Sequence, residues 1–347
     1  DCHRSQPQDF RDLGGRFAQI RDAHFGVCND CIFDCPFSLG YLPRSYNRTV
    51  KHATSSTGSG GSSSRRLARP APGLAVRVTF DDPVALAADL LALPVALGVD
   101  PLAIPAVRAI DERLGGVLAE IVAEEGFRGK RDQLVVLHTH GRIGPKRVAL
   151  IGLGAESQST AVAALRAFAA GAMKIASSHS LGSVSLLAPA GDLALADTVR
   201  ICCEGAHLGA YRFDRHRTDP QKRPAVTEVW ICAAGSKTDH QLKAAVDKGA
   251  VVGSSIAFAR DLVNEPANDM TPRTLGDHAR RIARQFKLGC TIFGKTDLDK
   301  KGFGLLSAVN RGSAEEPRLI HLAYRPRGRS SRRVAIIGKG ITFDSGG

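Results

Sequence analysis

Aromatic residues are scarce in this 347-residue chain, 5% of the total with a single Trp. Few of them lie between the basic residues, where stacking platforms for single-stranded nucleic acid would need them. No stretch approaches the roughly 18 uncharged apolar residues that cross a bilayer, so a membrane-spanning helix is not expected. Eight cysteines are too sparse for a disulfide scaffold. Cys202, Cys203, Cys232 and Cys290 sit inside apolar runs, as buried thiols do, which fits a reducing compartment. Cys28, Cys31 and Cys35, spaced C-x2-C-x3-C beside His24, could hold zinc only with a fourth ligand, and no second CxxC follows. Acidic residues are missing from 41–72, which also carries the run SSTGSGGSSSRRLARPAP. That composition reads as linker, or as a transit-like segment, and cannot nucleate a core.

What is present is a soluble, globular composition of 43% hydrophobic and 23% charged residues. The length suggests about two domains. The formal net charge of +13 would favour an anionic partner if it were gathered on one face. The cations are instead spread over Arg65–Arg69, Arg273–Lys301 and Arg325–Arg333, and specific nucleic-acid binding is not expected.

From Leu74 onward, short apolar runs alternate with longer amphipathic ones, the pattern of an α/β fold. Strands are expected at 74–80, 133–140, 147–154 and 183–189, each rich in Val, Leu and Ile and bounded by turn residues. Between the last two, Ala161, Leu165, Phe168, Ala172, Ile175 and Ala176 form one helical stripe, so strand, helix and strand imply a parallel crossover. Gly152 and Gly154 follow a strand, but the dinucleotide fingerprint lacks its third glycine and its acidic residue, which leaves turn glycines as the better reading. His138 and His140 share one side of a strand end and read as an ordinary polar rim.

A second unit is expected to begin near residue 235 with a helix over 241–263. LVNEPANDMTP at 262–272 breaks it, with Asn264 and Asn268 bracing the turn. Thr271 then caps a new helix with Pro272 at its first position and Leu275, Ala279, Ile282, Ala283 and Phe286 as its apolar face. CTIFG, LLSAVN, RLIHLAY and RVAIIG read as successive strands of a second sheet, the last ending at Lys339. The closing VAIIGKGITFDSGG then places Lys339 and Asp344 beyond a strand end, among glycines that let the backbone bend around a ligand.

GKGITFDSGG resembles the metal-binding motif of the leucine aminopeptidases, also called cytosol aminopeptidases. LVNEPANDMTP, GFGLLSAVNRGSAEEPRLIHLAY at 302–324 and EGAHLGAYRFD at 204–214 resemble segments of the same family in the same order. The resemblance covers residues 74–347. It implies residues 74–235 as a macro-domain-like α/β domain, residues 236–347 as the start of a catalytic metallopeptidase domain, and residues 1–73 as an extension.

By that resemblance Lys339 and Asp344 are metal ligands for two divalent ions, Zn or Mn, in an enzyme that releases N-terminal residues such as leucine from peptides. A homo-hexamer in the cytoplasm is implied, with a plastid or mitochondrion as the alternative if residues 41–72 belong to a transit sequence. The family's second lysine, remaining carboxylates and catalytic arginine fall beyond Gly347, so the polypeptide as given is expected to be an inactive fragment. A non-catalytic relative acting in assembly or nucleic-acid binding is the second reading, and a dehydrogenase ranks below both.

Overall fold

The computed structural model describes residues 73–154, 158–189, 191, 193–218, 225–234, 240–326 and 333–343. The Cys28, Cys31, Cys35 and His24 group and the extension through residue 72 lie outside the described residues. Contacts divide the chain into two compact units, one holding the described residues from 73 to 275 together with 334–343, the other those from 276 to 333.

The first unit is built on a six-stranded sheet. Its strands are β1 (Ala75–Thr79), β2 (Leu90–Ala96), β3 (Leu134–His138), β4 (Arg147–Gly154), β5 (Ser183–Leu187) and β6 (Glu228–Cys232). They lie in the order β1-β6-β5-β2-β4-β3. All neighbours are parallel except β3, which runs antiparallel to β4 at one edge. β2 and β4 are buried along nearly their whole length, as central strands covered on both faces must be. The alternation of the pleat sorts their side chains into two cores. Leu90, Ala92, Ala149 and Ile151 join one cluster, and Leu91, Leu93, Val95, Val148 and Leu150 join the other.

Helices α1 (Pro105–Leu114) and α2 (Val117–Glu124) supply Val107, Ile110, Leu118 and Val122 to the second cluster. The first is covered by α3 (Gln158–Ser178), α4 (Leu195–Ala210) and α5 (His240–Asn264). The stripe expected on α3 is the one that packs: Leu165, Phe168, Ala172, Ile175 and Ala176 are buried. β4 and β5, on either side of α3 in sequence, are both parallel to β2, which lies between them.

The three helices stand unusually close. A Cβ at Gly205 would lie 2.4 Å from the Arg166 carbonyl oxygen, one at Gly249 2.7 Å from that of Arg200, and one at Gly253 2.4 Å from the Cβ of His207. Glycine is therefore required by approach rather than by φ, and α5 is drawn onto the first unit. Cys202 and Cys203 lie in this interface, where burial pushes both thiols up to about 12.

Gly152 and Gly154 are likewise structural. A Cβ at Gly152 would sit 1.9 Å from the Lys130 carbonyl oxygen, and Gly154, at φ +84°, donates its N–H to Gly129. Both glycines are thus held close to the segment 129–131 of the same chain.

β2 and β6 are strands beyond those expected. Pro94 obscures β2, because it supplies no ladder donor. It is tolerated because pairing with β5 covers only Leu90–Ala92, so Pro94 follows the end of that ladder.

The second unit contains α6 from Gly276 onward, β7 (Gly289–Phe293), α7 (Lys295–Lys300), α8 (Gly304–Val309) and β8 (Leu319–Ala323). α6 (Pro272–Phe286) begins as expected, with the Thr274 N–H donating to Thr271 Oγ1 at 3.2 Å. Ala279 and Ala283 are buried, but Phe286 is 61% exposed, one turn beyond the packed part of the helix. LLSAVN is helical rather than extended. Short apolar runs do not carry a period that separates the two states, and Phe303 and Gly304 place the turn that starts α8. β7 and β8 form a two-stranded antiparallel ladder, not consecutive strands of a larger sheet. Cys290 is only half-buried.

Two outcomes test this account. Gly205→Ala gains about 1 kcal/mol of helix propensity but drives a methyl into the α3 backbone, which costs more. A net loss of about 1–2 kcal/mol is expected in urea denaturation.

Asp89 gives the second. Its carboxylate is bonded by Lys146 and by the amides of Gly182 and Ser183. Burial raises its pKa, yet these partners together hold it below the ordinary 3.8. A lowered folded-state value means stability that is present above pH 3.8 and lost as pH falls through the lower folded value. Asp89→Asn is therefore expected to cost about 1 kcal/mol at pH 7, with the difference from the parent chain shrinking below pH 3.8 in pH-dependent melts.

Candidate functional site

Of the closing motif GKGITFDSGG, the structure describes residues 338–343. Residues 333–341 are exposed, with Val334 at 88%, Ile336 at 94% and Ile337 at 93%. RVAIIG adopts no strand, because an extended segment becomes one only when a neighbour takes up its backbone groups. Among the described residues no strand pairs with it. Lys339 is exposed on this segment, and Asp344 lies outside the described residues. A lysine amine ligates a cation only after losing its proton, which requires desolvation. Lys339 is the member of this pair that the structure describes, and it stands in solvent.

Two other segments are brought together by the fold. EGAHLGAYRFD closes α4 and runs into the turn at 211–216, and LVNEPANDMTP closes α5. Because glycines let α4 and α5 run side by side, their ends meet. The Tyr211 hydroxyl donates to Asp261 Oδ1 at 2.9 Å and accepts from Asn264 Nδ2 at 3.0 Å. The Arg260 guanidinium stacks on the Tyr211 ring at 4.0 Å. Burial, opposed by the Asn264 donor and assisted by Asp261, raises the Tyr211 pKa and keeps the hydroxyl a donor. The expected bracing role of Asn264 is met through a side chain, Tyr211, rather than through neighbouring backbone.

Beyond this pair lies a cluster that spacing in the sequence did not reveal. Glu265 receives Arg215 on Oε2 and faces His216 Nε2 across 3.0 Å from Oε1. Its side chain is only 6% exposed. Asp269 lies one turn further on, and the ligating atoms of His216, Glu265 and Asp269 all fall within 4.8 Å of one another. His216 and Glu265 are 49 residues apart, and no local pattern joins them. The one signal available was that both lie in segments carrying the same family resemblance.

Glu204, in the same EGAHLG segment, is buried between two cations. Arg166 donates to its Oε2 at 2.9 Å and Arg200 to its Oε1 at 2.6 Å. This pairing cements α3 to α4 and leaves no free oxygen for chemistry. His138 and His140 stack with ring centroids 5.3 Å apart, and among the described residues no third ligating side chain joins them.

The fold defines an α/β protein built on a mostly parallel sheet, and comparison with known proteins gives the family. The sequence profile of the cytosol aminopeptidase family, N-terminal domain, matches residues 95–220, and that of the catalytic domain of the same family matches residues 257–347. The chain belongs to the cytosol, or leucine, aminopeptidase family.

Among its relatives, the probable cytosol aminopeptidase of Syntrophotalea carbinolica is 38% identical over 247 residues, which is 70% of this chain and 49% of the relative. That of a Picosynechococcus species is 36% identical over 241 residues, 69% of this chain and 48% of the relative. Of solved structures, a tomato leucine aminopeptidase mutant shares the fold with a TM-score of 0.65 at 23% identity, covering 75% of this chain and 52% of that one. The bottromycin maturation enzyme BotP in complex with Mn gives a TM-score of 0.53 at 28% identity, covering 69% and 46%. The chain spans about half the length of the curated relatives it matches.

The Tyr211 junction can be tested directly. Tyr211→Phe removes one donor and one acceptor from a half-buried site, where each bond contributes about 1 kcal/mol. A loss of about 1–2 kcal/mol is expected in chemical denaturation, together with faster proteolysis at the 211–216 turn.

Proposed function

We propose that this chain is part of a metal-dependent aminopeptidase that releases N-terminal residues such as leucine from peptides. The observation that carries the reading is the match of residues 257–347 to the family's catalytic domain, because that region contains Lys339 and Asp344 within GKGITFDSGG. Their roles as metal ligands follow from the motif. Divalent ions held there, Zn or Mn, would polarise a scissile carbonyl and lower the pKa of a bound water. The protein named in complex with Mn among the structural relatives supports a divalent ion of this kind. For Lys339 to serve, its amine must be desolvated beside Asp344, which requires polypeptide packed over the exposed 333–343 segment.

The two family regions lie on either side of residue 235, which supports a division into an N-terminal domain over 74–235 and a catalytic region from 236. A homo-hexamer and a cytoplasmic location belong to the same proposal. The 347 residues offer an amine and a carboxylate at the motif, whereas a catalytic zinc has about three protein ligands. The isolated polypeptide is accordingly proposed to be inactive.

The test uses leucine p-nitroanilide with Mn2+ or Zn2+. The 347-residue polypeptide is expected to show no metal-dependent hydrolysis. A longer form carrying the complete catalytic domain is expected to lose at least about 1,000-fold in kcat/KM on Lys339→Ala or Asp344→Ala, about 4 kcal/mol of transition-state stabilisation. Retention of the full rate by both variants would overturn the assignment.

A further inference from the structure

Separately from the motif at Lys339, we infer that His216, Glu265 and Asp269 form a divalent-cation site at the junction of the 211–216 turn with the end of α5. One imidazole nitrogen and two carboxylates converge, with all three ligating atoms within 4.8 Å of one another. The contact between His216 Nε2 and Glu265 Oε1 is 3.0 Å. Two ligands each about 2.1 Å from an octahedral ion and at right angles to each other are separated by about 3.0 Å, which this edge matches.

The surroundings prepare the site. Arg215 occupies Glu265 Oε2 and turns Oε1 toward His216, the kind of outer contact that orients a ligating carboxylate. The turn that carries Asp269 is fixed by two backbone bonds to the Pro266 carbonyl, from Asp269 at 2.9 Å and Met270 at 2.8 Å, and Met270 is buried. Glu265 and Asp269 bring two carboxylates to one imidazole, and Arg215 sits on the Glu265 oxygen turned away from it. Nitrogen and oxygen donors without a thiolate select Mn2+ or Zn2+ over soft ions. His216 is 42% exposed, so an entering ion has a path and its remaining positions are open to water. The bound ion would clamp the end of α4 to the end of α5. No residue is shared with Lys339 or Asp344.

The experiment is a titration of the metal-free 347-residue chain with Mn2+ alone, counted by electron paramagnetic resonance, with pulsed spectra recorded for 14N coupling. Mn2+ is chosen because the cysteines compete for it poorly. One equivalent showing imidazole 14N coupling is expected. His216→Gln is expected to remove the coupling, and Glu265→Gln to weaken binding at least tenfold with unchanged circular dichroism. Lys339→Ala should leave this equivalent in place. The inference is overturned if the parent chain binds no Mn2+, if its spectrum lacks 14N coupling, or if the coupling survives in His216→Gln. An equivalent lost on Lys339→Ala, with the His216 signal retained, would bear on the aminopeptidase motif alone.

Discussion

The close approach of α3, α4 and α5 is the constraint on which the arrangement of this chain depends. Four backbone crossings, at Gly205, Gly209, Gly249 and Gly253, leave no room for a Cβ. That closeness has two consequences. It seals one face of the sheet, where Phe168, Met173, Val199 and Cys202 complete a core with β2, β4 and β5. It also fixes the direction in which α4 and α5 leave that core, so that Tyr211 arrives beside Asp261 and Asn264, and His216 beside Glu265. A side chain larger than hydrogen at these crossings would separate the helices and, with them, the two family segments whose ends now interlock.

The two candidate sites differ in how the fold treats them. At Glu265 the carboxylate is nearly excluded from water and both oxygens are oriented by partners, while His216 beside it remains exposed. Lys339, by contrast, lies on a described segment whose isoleucines face solvent. An apolar segment exposed in this way is unfavourable by itself, since about 1.5–3 kcal/mol is forgone for each large aliphatic side chain left in water. Its composition is that of a strand buried on both sides, and the proposed function requires polypeptide to cover it.

Much of the first unit was legible in the sequence. β1, β3, β4 and β5 are short runs rich in Val and Leu between turn residues, and α3 and α6 announce themselves by a stripe at helical spacing and by Thr271 before Pro272. The failures have particular causes. Pro94 disguised β2, whose proline is admissible only because the β5 ladder ends two residues earlier. LLSAVN is too short for its period to decide between helix and strand. VAIIG has every local feature of a buried strand and, among the described residues, no strand beside it. The apolar face of α6 was right at Ala279 and Ala283 and wrong at Phe286, where packing ends before the pattern does.

The sequence by itself determined the class of fold, the positions of most strands and the family, because hydrophobic period and a ten-residue motif are local properties that survive without a structure. Tertiary structure alone decided that α5 packs on the first unit, that Tyr211 joins Asp261 and Asn264, and that His216 meets Glu265. Those contacts join residues about 50 positions apart. Their distance is set by how closely two helices can run, which depends on side chains missing from both partners at once and is not written in either segment alone.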